Sequence, residues 1–201
     1  MGGRAARLVA ASVISLALVA AAAVGLNAFG PGSGAGVAAR TSGADFSLVL
    51  RLPRDRYRAG EPIDAIAELT YTGPRASVVP WGSASGIIGF GVAQMGGPSA
   101  GPGYRDNCAQ HSALQRGVPL QVRFAKSGGY AADDPNVSFY RSYFAEPRLR
   151  LPAGTWTILA ETNLIPGGCT APVVALRVST RVVVSARWSG CCRSTTTGRR
   201  S

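Results

Sequence analysis

Hydrophobic and polar residues alternate along several stretches of the chain, and a period of two is the pattern of a half-buried β-strand. The two clearest stretches follow turns rich in glycine and proline, at residues 57–62 and 151–154. Their apolar residues fall on one face each: Ile63, Ala65, Ala67, Leu69 and Tyr71 in the first, and Trp156, Ile158 and Ala160 in the second. Strands with one apolar face bury it against another layer, so the pattern predicts a core formed between β-sheets.

Weaker alternation predicts further strands at residues 46–50, 77–81, 87–94, 118–124, 149–151 and 173–184. Four aromatic residues precede the 149–151 strand: Phe139, Tyr140, Tyr143 and Phe144. Their spacing predicts a short helix or an irregular strand packed on the sheets. We therefore expect an all-β domain over residues 44–186, a β-sandwich of about seven to nine strands.

The first 29 residues have the pattern of an export signal. Arg4 and Arg7 precede an uncharged apolar run at residues 8–26, which corresponds to a basic region followed by a hydrophobic region. The run predicts an N-terminal apolar helix that is either a cleaved signal peptide or an uncleaved membrane anchor. Since the positive charges precede the run, an uncleaved segment would leave the rest of the chain outside the cell. We expect an extracytoplasmic protein, secreted or tethered to the cell membrane.

The charge of the chain lies mostly outside the central domain. The formal net charge is +11, and seven of the arginines flank residues 44–186, which leaves +4 for the domain. A weakly basic domain is not a nucleic-acid footprint, and we expect no nucleic-acid partner. Residues 30–43 are rich in Gly, Ser and Ala and predict a flexible linker. Residues 187–201 are basic and aperiodic and predict a disordered tail.

Cysteine placement suggests two different chemistries. Cys108 and Cys169 lie in predicted loops, and in an exported protein such a pair is most simply a disulfide. The alternative is a metal or redox site that uses Cys108, His111 and Cys169, but His111 is the only histidine in the chain and no closed zinc or copper ligand set can be assembled. Cys191 and Cys192 are adjacent. Three alternatives stay open for them: free thiols, intermolecular disulfides, or a tail that is not native sequence.

The two turns carry a resemblance to known domains. The stretch Y-x-x-G-E-P-I ahead of one strand, and L-P-x-G-T-W ahead of another, resemble the bacterial immunoglobulin-like domains. The pattern is also similar to that of the intracellular proteinase inhibitor family, with Gly60, Glu61, Pro62, Gly154 and Trp156 as the matching residues. The resemblance implies an immunoglobulin-like β-sandwich; it does not specify an activity.

The sequence constrains the function mainly through the catalytic motifs that it lacks. The chain has no G-x-S-x-G, H-E-x-x-H or phosphate-loop motif, so we expect neither an enzyme nor a cofactor. The favoured hypothesis is a non-catalytic binding or structural module of the bacterial cell envelope, with an unknown protein or envelope ligand as its partner. A secreted proteinase inhibitor or regulator is one alternative, and an exported metal or redox protein is the other.

Overall fold

The computed structural model describes residues 36–105 and 108–186. The predicted export signal at 1–29, residues 30–35 of the predicted linker, and the whole predicted tail at 187–201 with Cys191 and Cys192 lie outside these residues. The strands are β1 (Val37–Gly43), β2 (Phe46–Leu52), β3 (Arg56–Arg58), β4 (Ile66–Tyr71), β5 (Ser77–Val78), β6 (Trp81–Ser83), β7 (Ile88–Gln94), β8 (Ser99–Ala100), β9 (Cys108–Gln110), β10 (Leu114–Gln115), β11 (Pro119–Arg123), β12 (Gly154–Thr162), β13 (Leu164–Ile165) and β14 (Arg177–Ser185). One helix, α1 (Val137–Ala145), follows β11.

The described strands form two larger and two smaller sheets. The first larger sheet has the order β1-β2-β4-β11 and is antiparallel throughout. The second has the order β3-β14-β12-β7-β8, in which only β3 and β14 run parallel. The smaller sheets have the orders β13-β6-β9 and β10-β5. The prediction of a mostly β domain is therefore confirmed.

The alternating apolar residues of both larger sheets meet in one core. Leu48 of β2 lies opposite Leu69 of β4, and Leu50 lies opposite Ala67. All four side chains are fully buried, as are Trp156, Ile158 and Ala160 of β12. These residues belong to a single hydrophobic cluster, which is the arrangement that one-sided apolar alternation predicts. Each fully buried aliphatic side chain in such a core contributes roughly 1.5–3 kcal/mol to folding.

The predicted flexible linker is wrong for residues 37–43, which form β1. This strand pairs with β2 along its whole length, from Val37 opposite Leu52 to Gly43 opposite Phe46. Ala44 and Asp45 connect the two strands with φ angles of 46° and 68°. Two central residues with positive φ are the mark of a type I′ hairpin, whose twist matches that of paired strands. The local turn and the ladder of backbone hydrogen bonds thus order a segment whose composition suggests flexibility.

Two further differences concern the turns around the core. Residues 149–151 do not form a regular strand, although Ile63 donates to the Leu149 carbonyl at 2.8 Å and Gly60 donates to the Leu151 carbonyl at 3.0 Å. The strand predicted from Ile63 begins regular pairing only at Ile66, because the segment before it turns toward residues 149–151. Gly60 has φ of 74°, a conformation that other residues adopt at a cost.

The aromatic residues that precede this turn form a helix, as one of the two sequence readings predicts. Tyr140 and Tyr143 of α1 are buried, and the ring of Phe139 stacks on Trp156 with 5.3 Å between centroids. None of the helical segments in the described part of the chain has the length and hydrophobicity of a bilayer span.

Candidate functional site

A cleft of about 770 Å³ opens between the two larger sheets, along one side of the domain. One wall is the first half of β7, where Ile88 and Phe90 point inward. The facing wall is β11, with Leu120 and Val122. Segments 103–105, 111–114 and 125–128 surround the opening. Ligand clefts in proteins have volumes of about 300–1,000 Å³, so the space suits a small molecule.

The cleft exists because neither sheet is closed at this side. β11 is the edge strand of the four-stranded sheet, and β8 pairs only with Val92 and Ala93 of β7. Leu120 and Val122 point the same way as the buried residues of β4 beside them, Leu69 and Ala67. They nevertheless remain half-buried. Two apolar side chains on the inner face of a sheet are thus left open to whatever occupies the cleft.

Aromatic side chains form the floor of the cleft and part of its wall. The rings of Phe90 and Phe124 are 5.1 Å apart and tilted by 46°, which joins the two sheets below the opening. Tyr104 lies across β7 and donates its hydroxyl to the Glu161 carbonyl at 2.8 Å. Burial, aided by the nearby Glu161 carboxylate, raises the pKa of Tyr104 to about 12. Its hydroxyl is therefore a neutral donor that fixes the wall and is not an acid near neutral pH.

One end of the cleft is polar and is organised around Ser83, which is 2 % exposed. Its hydroxyl accepts from the backbone N–H of Arg105 at 2.8 Å and from that of Ser85 at 3.2 Å. Its carbonyl lies 3.0 Å from Nε2 of His111. A carbonyl can only accept a hydrogen bond, so Nε2 carries the hydrogen and Nδ1 is left for another partner. Ser83 thus contacts both the backbone of Arg105 and the ring of His111, and these two residues line the same part of the cleft.

The predicted disulfide is confirmed, and it lies behind this polar end. Cys108 is bonded to Cys169, with Cα atoms 5.7 Å apart. Cys108 lies opposite Ser83 in the pairing of β6 with β9, and Cys169 follows β13 on the other side of β6. The bond therefore holds together the three-stranded sheet that carries Ser83, Cys108 and the start of the His111 loop.

The disulfide removes both sulfur ligands from the metal site that the sequence suggested at Cys108, His111 and Cys169. Zinc and copper bind thiolates, and both sulfurs are used in the bond to each other. Among residues 36–105 and 108–186, no three histidine, cysteine or acidic side chains are grouped to hold a metal ion. His111 instead contributes to the cleft, to which it was not assigned by sequence.

Lys126, which also lines the cleft, joins it to helix α1. Its ammonium group donates to the carbonyl oxygens of Tyr143 and Glu146 and lies 4.4 Å from the centroid of the Tyr143 ring. A lysine at this position satisfies carbonyls that the end of a helix leaves unpaired. Burial lowers the pKa of Lys126. We assign its charge to the helix end and not to a ligand.

Backbone packing closes the loop beside Lys126. The N–H of Gly103 donates to Oγ of Ser127 at 2.9 Å, and a Cβ at Gly103 would lie 2.5 Å from the backbone nitrogen of Gly128. Glycine is therefore required where these two chain segments cross.

A smaller depression of about 370 Å³ lies at the β3 edge, away from the cleft. It is lined by Arg54, Arg56, Arg58 and Glu61 among others. Glu61 pairs with Arg54 and accepts from the Arg58 backbone N–H at 2.8 Å. That backbone hydrogen bond is the main reason why the pKa of Glu61 is lowered. The carboxylate already compensates part of the positive charge, so the inter-sheet cleft is the stronger candidate site.

Sequence reasoning identified Cys108, His111 and Cys169 but missed Arg105, Leu120 and Val122 as site residues. The signal in β11 was present as alternation and was interpreted as a strand with a core-facing side. Comparison of the chain with protein-family models, with curated proteins and with solved structures gives no significant match.

Proposed function

We propose that this protein is a non-catalytic, extracytoplasmic binding module whose immunoglobulin-like sandwich takes a small apolar ligand into the cleft between its sheets. The carrying observation is the half-buried state of Leu120 and Val122 on the inner face of an edge strand. Inner-face apolar residues are normally covered, and burial of apolar area favours any ligand that covers them by about 25 cal/mol per Å².

The position of the cleft agrees with attachment of the chain to a membrane through residues 1–29. β1 and β11 occupy opposite edges of the four-stranded sheet. The start of the described domain, at Val37, therefore lies at the edge of that sheet away from the cleft strand β11. The export signal in the sequence supports an extracytoplasmic location, either in secreted form or on the membrane.

The test is titration of the full chain with N-phenyl-1-naphthylamine, an uncharged dye whose fluorescence rises in apolar surroundings. We expect saturable binding, and a Val122→Trp substitution should raise the Kd at least tenfold because the indole occupies the cleft. The matched control is Val183→Trp: Val183 is 40 % exposed on β14, in the other larger sheet, where β12 separates β14 from the cleft strand β7.

Two controls separate loss of the site from loss of the fold. Circular dichroism compares the folding of both variants, and Leu120→Gln supplies a second change in the same wall. The proposal fails if the dye does not bind, or if the Val122 and Val183 substitutions weaken binding equally.

A further inference from the structure

We infer that the ligand of the cleft is an anionic amphiphile with a single apolar tail, carrying a carboxylate or phosphate group at one end. This inference rests on the proposed binding function and names the ligand class of the same site. It follows from a lining that combines apolar walls with Arg105 and His111 and, among the described residues, contains no carboxylate.

The side chains that line the apolar part of the cleft have no atoms that can form hydrogen bonds. Ile88, Phe90, Leu114, Leu120 and Val122 line it. Contacts with such walls are non-directional, so they select for an apolar tail and discriminate poorly between tails. Specificity must therefore come from the polar end.

Among the described residues, the lining of the polar end carries positive charge and no carboxylate. Arg105 and His111 line it, and none of the described lining residues is acidic. In the part of the chain that the structure describes, the ion pairs involve Arg51, Arg54, Arg150 and Arg177, and no carboxylate pairs with Arg105. A guanidinium presents a planar set of donors that matches a carboxylate or a phosphate. Charge complementarity thus favours an anionic head beside Arg105.

His111 can reinforce the same preference. Its Nε2 hydrogen is committed to the Ser83 carbonyl, so Nδ1 is the ring nitrogen left for a ligand. When the ring is protonated, Nδ1 becomes a second donor to an anion. Lys126 makes no such contribution, since its ammonium donates to two carbonyls at the end of α1.

The experiment uses the full chain and displaces N-phenyl-1-naphthylamine with three probes that share one saturated tail: dodecanoate, 1-dodecanol and lauroyl lysophosphatidylglycerol. All are used below their micelle-forming concentrations. We expect dodecanoate to bind at least tenfold more tightly than the uncharged alcohol, the scale of one charge-assisted hydrogen bond. Arg105→Gln should remove most of that difference and leave the affinity for the alcohol unchanged.

Arg123→Gln is the matched control, because Arg123 is an exposed arginine on β11; it should change each affinity less than twofold. The Val122→Trp variant supplies the background of non-specific binding. The lysophospholipid distinguishes the source of the anionic head: tighter binding than dodecanoate supports a phospholipid-derived ligand, and weaker binding supports a free fatty acid.

The outcomes separate the two proposals. If the dye binds but 1-dodecanol competes as well as both anionic probes, the ligand class is wrong and the apolar site remains. Equal loss of dodecanoate affinity in the Arg105 and Arg123 variants would also overturn the role of the polar end. If the dye itself does not bind, the proposed function fails as well.

Discussion

Removal of the Cys108–Cys169 disulfide should lower the free energy of unfolding by roughly 4 kcal/mol. The sequence separation of the bonded residues is 61, and closing a loop of that size in the unfolded chain accounts for this figure on the chain-entropy model. For a domain of this size, such a loss corresponds to a fall in Tm of roughly 8–16 °C. The perturbation is the double substitution Cys108→Ser/Cys169→Ser.

The assay is urea unfolding, followed by circular dichroism, of the full chain without reductant. Both the disulfide variant and its reference carry Cys191→Ser and Cys192→Ser, so that these two cysteines cannot exchange with the bond. The reference differs from the native chain only outside the described residues, and the comparison isolates the loop. The slope of unfolding free energy against urea should rise in the variant, because an unfolded chain without the cross-link exposes more surface.

A loss of stability below about 1 kcal/mol would refute this reasoning, since loop entropy would then not govern the contribution of the bond. The same variant also tests the position of the disulfide. β9 pairs with β6 at only three residue pairs, including Ser83 with Cys108. Without the disulfide, β9 should pack less firmly beside Ser83. The affinity for anionic probes should therefore fall more than the affinity for the dye.

Two further changes test the buried polar contacts. Thr162 is 1 % exposed, and its hydroxyl donates to one backbone carbonyl at 2.9 Å and accepts from one backbone N–H at 2.8 Å. Thr162→Val should therefore lower the free energy of unfolding in urea by about 1–3 kcal/mol. The control, Thr157→Val on the outer face, should change it by less than about 0.5 kcal/mol. Tyr104 should titrate near pH 12 in the folded state, and because the neutral phenol is the form that the fold retains, stability should fall as pH rises from 10 to 12. The difference in absorbance at 295 nm between the native chain and Tyr104→Phe isolates this ionisation from that of the other tyrosines. A midpoint near 10 for that difference would contradict the burial of Tyr104.

Strands with one uninterrupted apolar face were predictable because their burial is a local property of the sequence. Ile63 to Tyr71 and Trp156 to Ala160 each repeat apolar residues with a period of two, and every one of those residues is buried. The register of pairing then follows, since a shift of one residue would expose the whole apolar set.

β1 was not predictable from the same signals. Its connection to β2 uses Ala44 and Asp45 with positive φ, whereas the strong sequence sign of such a turn is Asn-Gly or Asp-Gly. Its inward residues include Ala39 and Thr41, opposite Leu50 and Leu48, and small or polar side chains give weak alternation. The strand is specified by its partner more than by its own composition.

The cleft could not be predicted, because openness is a property of sheet order. Leu120 and Val122 alternate in the sequence just as Leu48 and Leu50 do, yet the second pair is fully buried and the first is half-buried. The difference is that β2 lies between two strands and β11 lies at an edge. No local pattern records which apolar face will lack a cover after folding.

The cysteine loop shows how a correct local inference can lead to a different function. By residue type, Cys108 and His111 are candidate ligands, but the bond between Cys108 and Cys169 gives the loop a structural role. By holding β9 against β6, it fixes the Ser83 carbonyl that orients His111 and the Ser83 hydroxyl that orients the backbone of Arg105. The disulfide sulfurs therefore have a structural role, and the polar side chains of the cleft that remain for ligand recognition are those of Arg105 and His111.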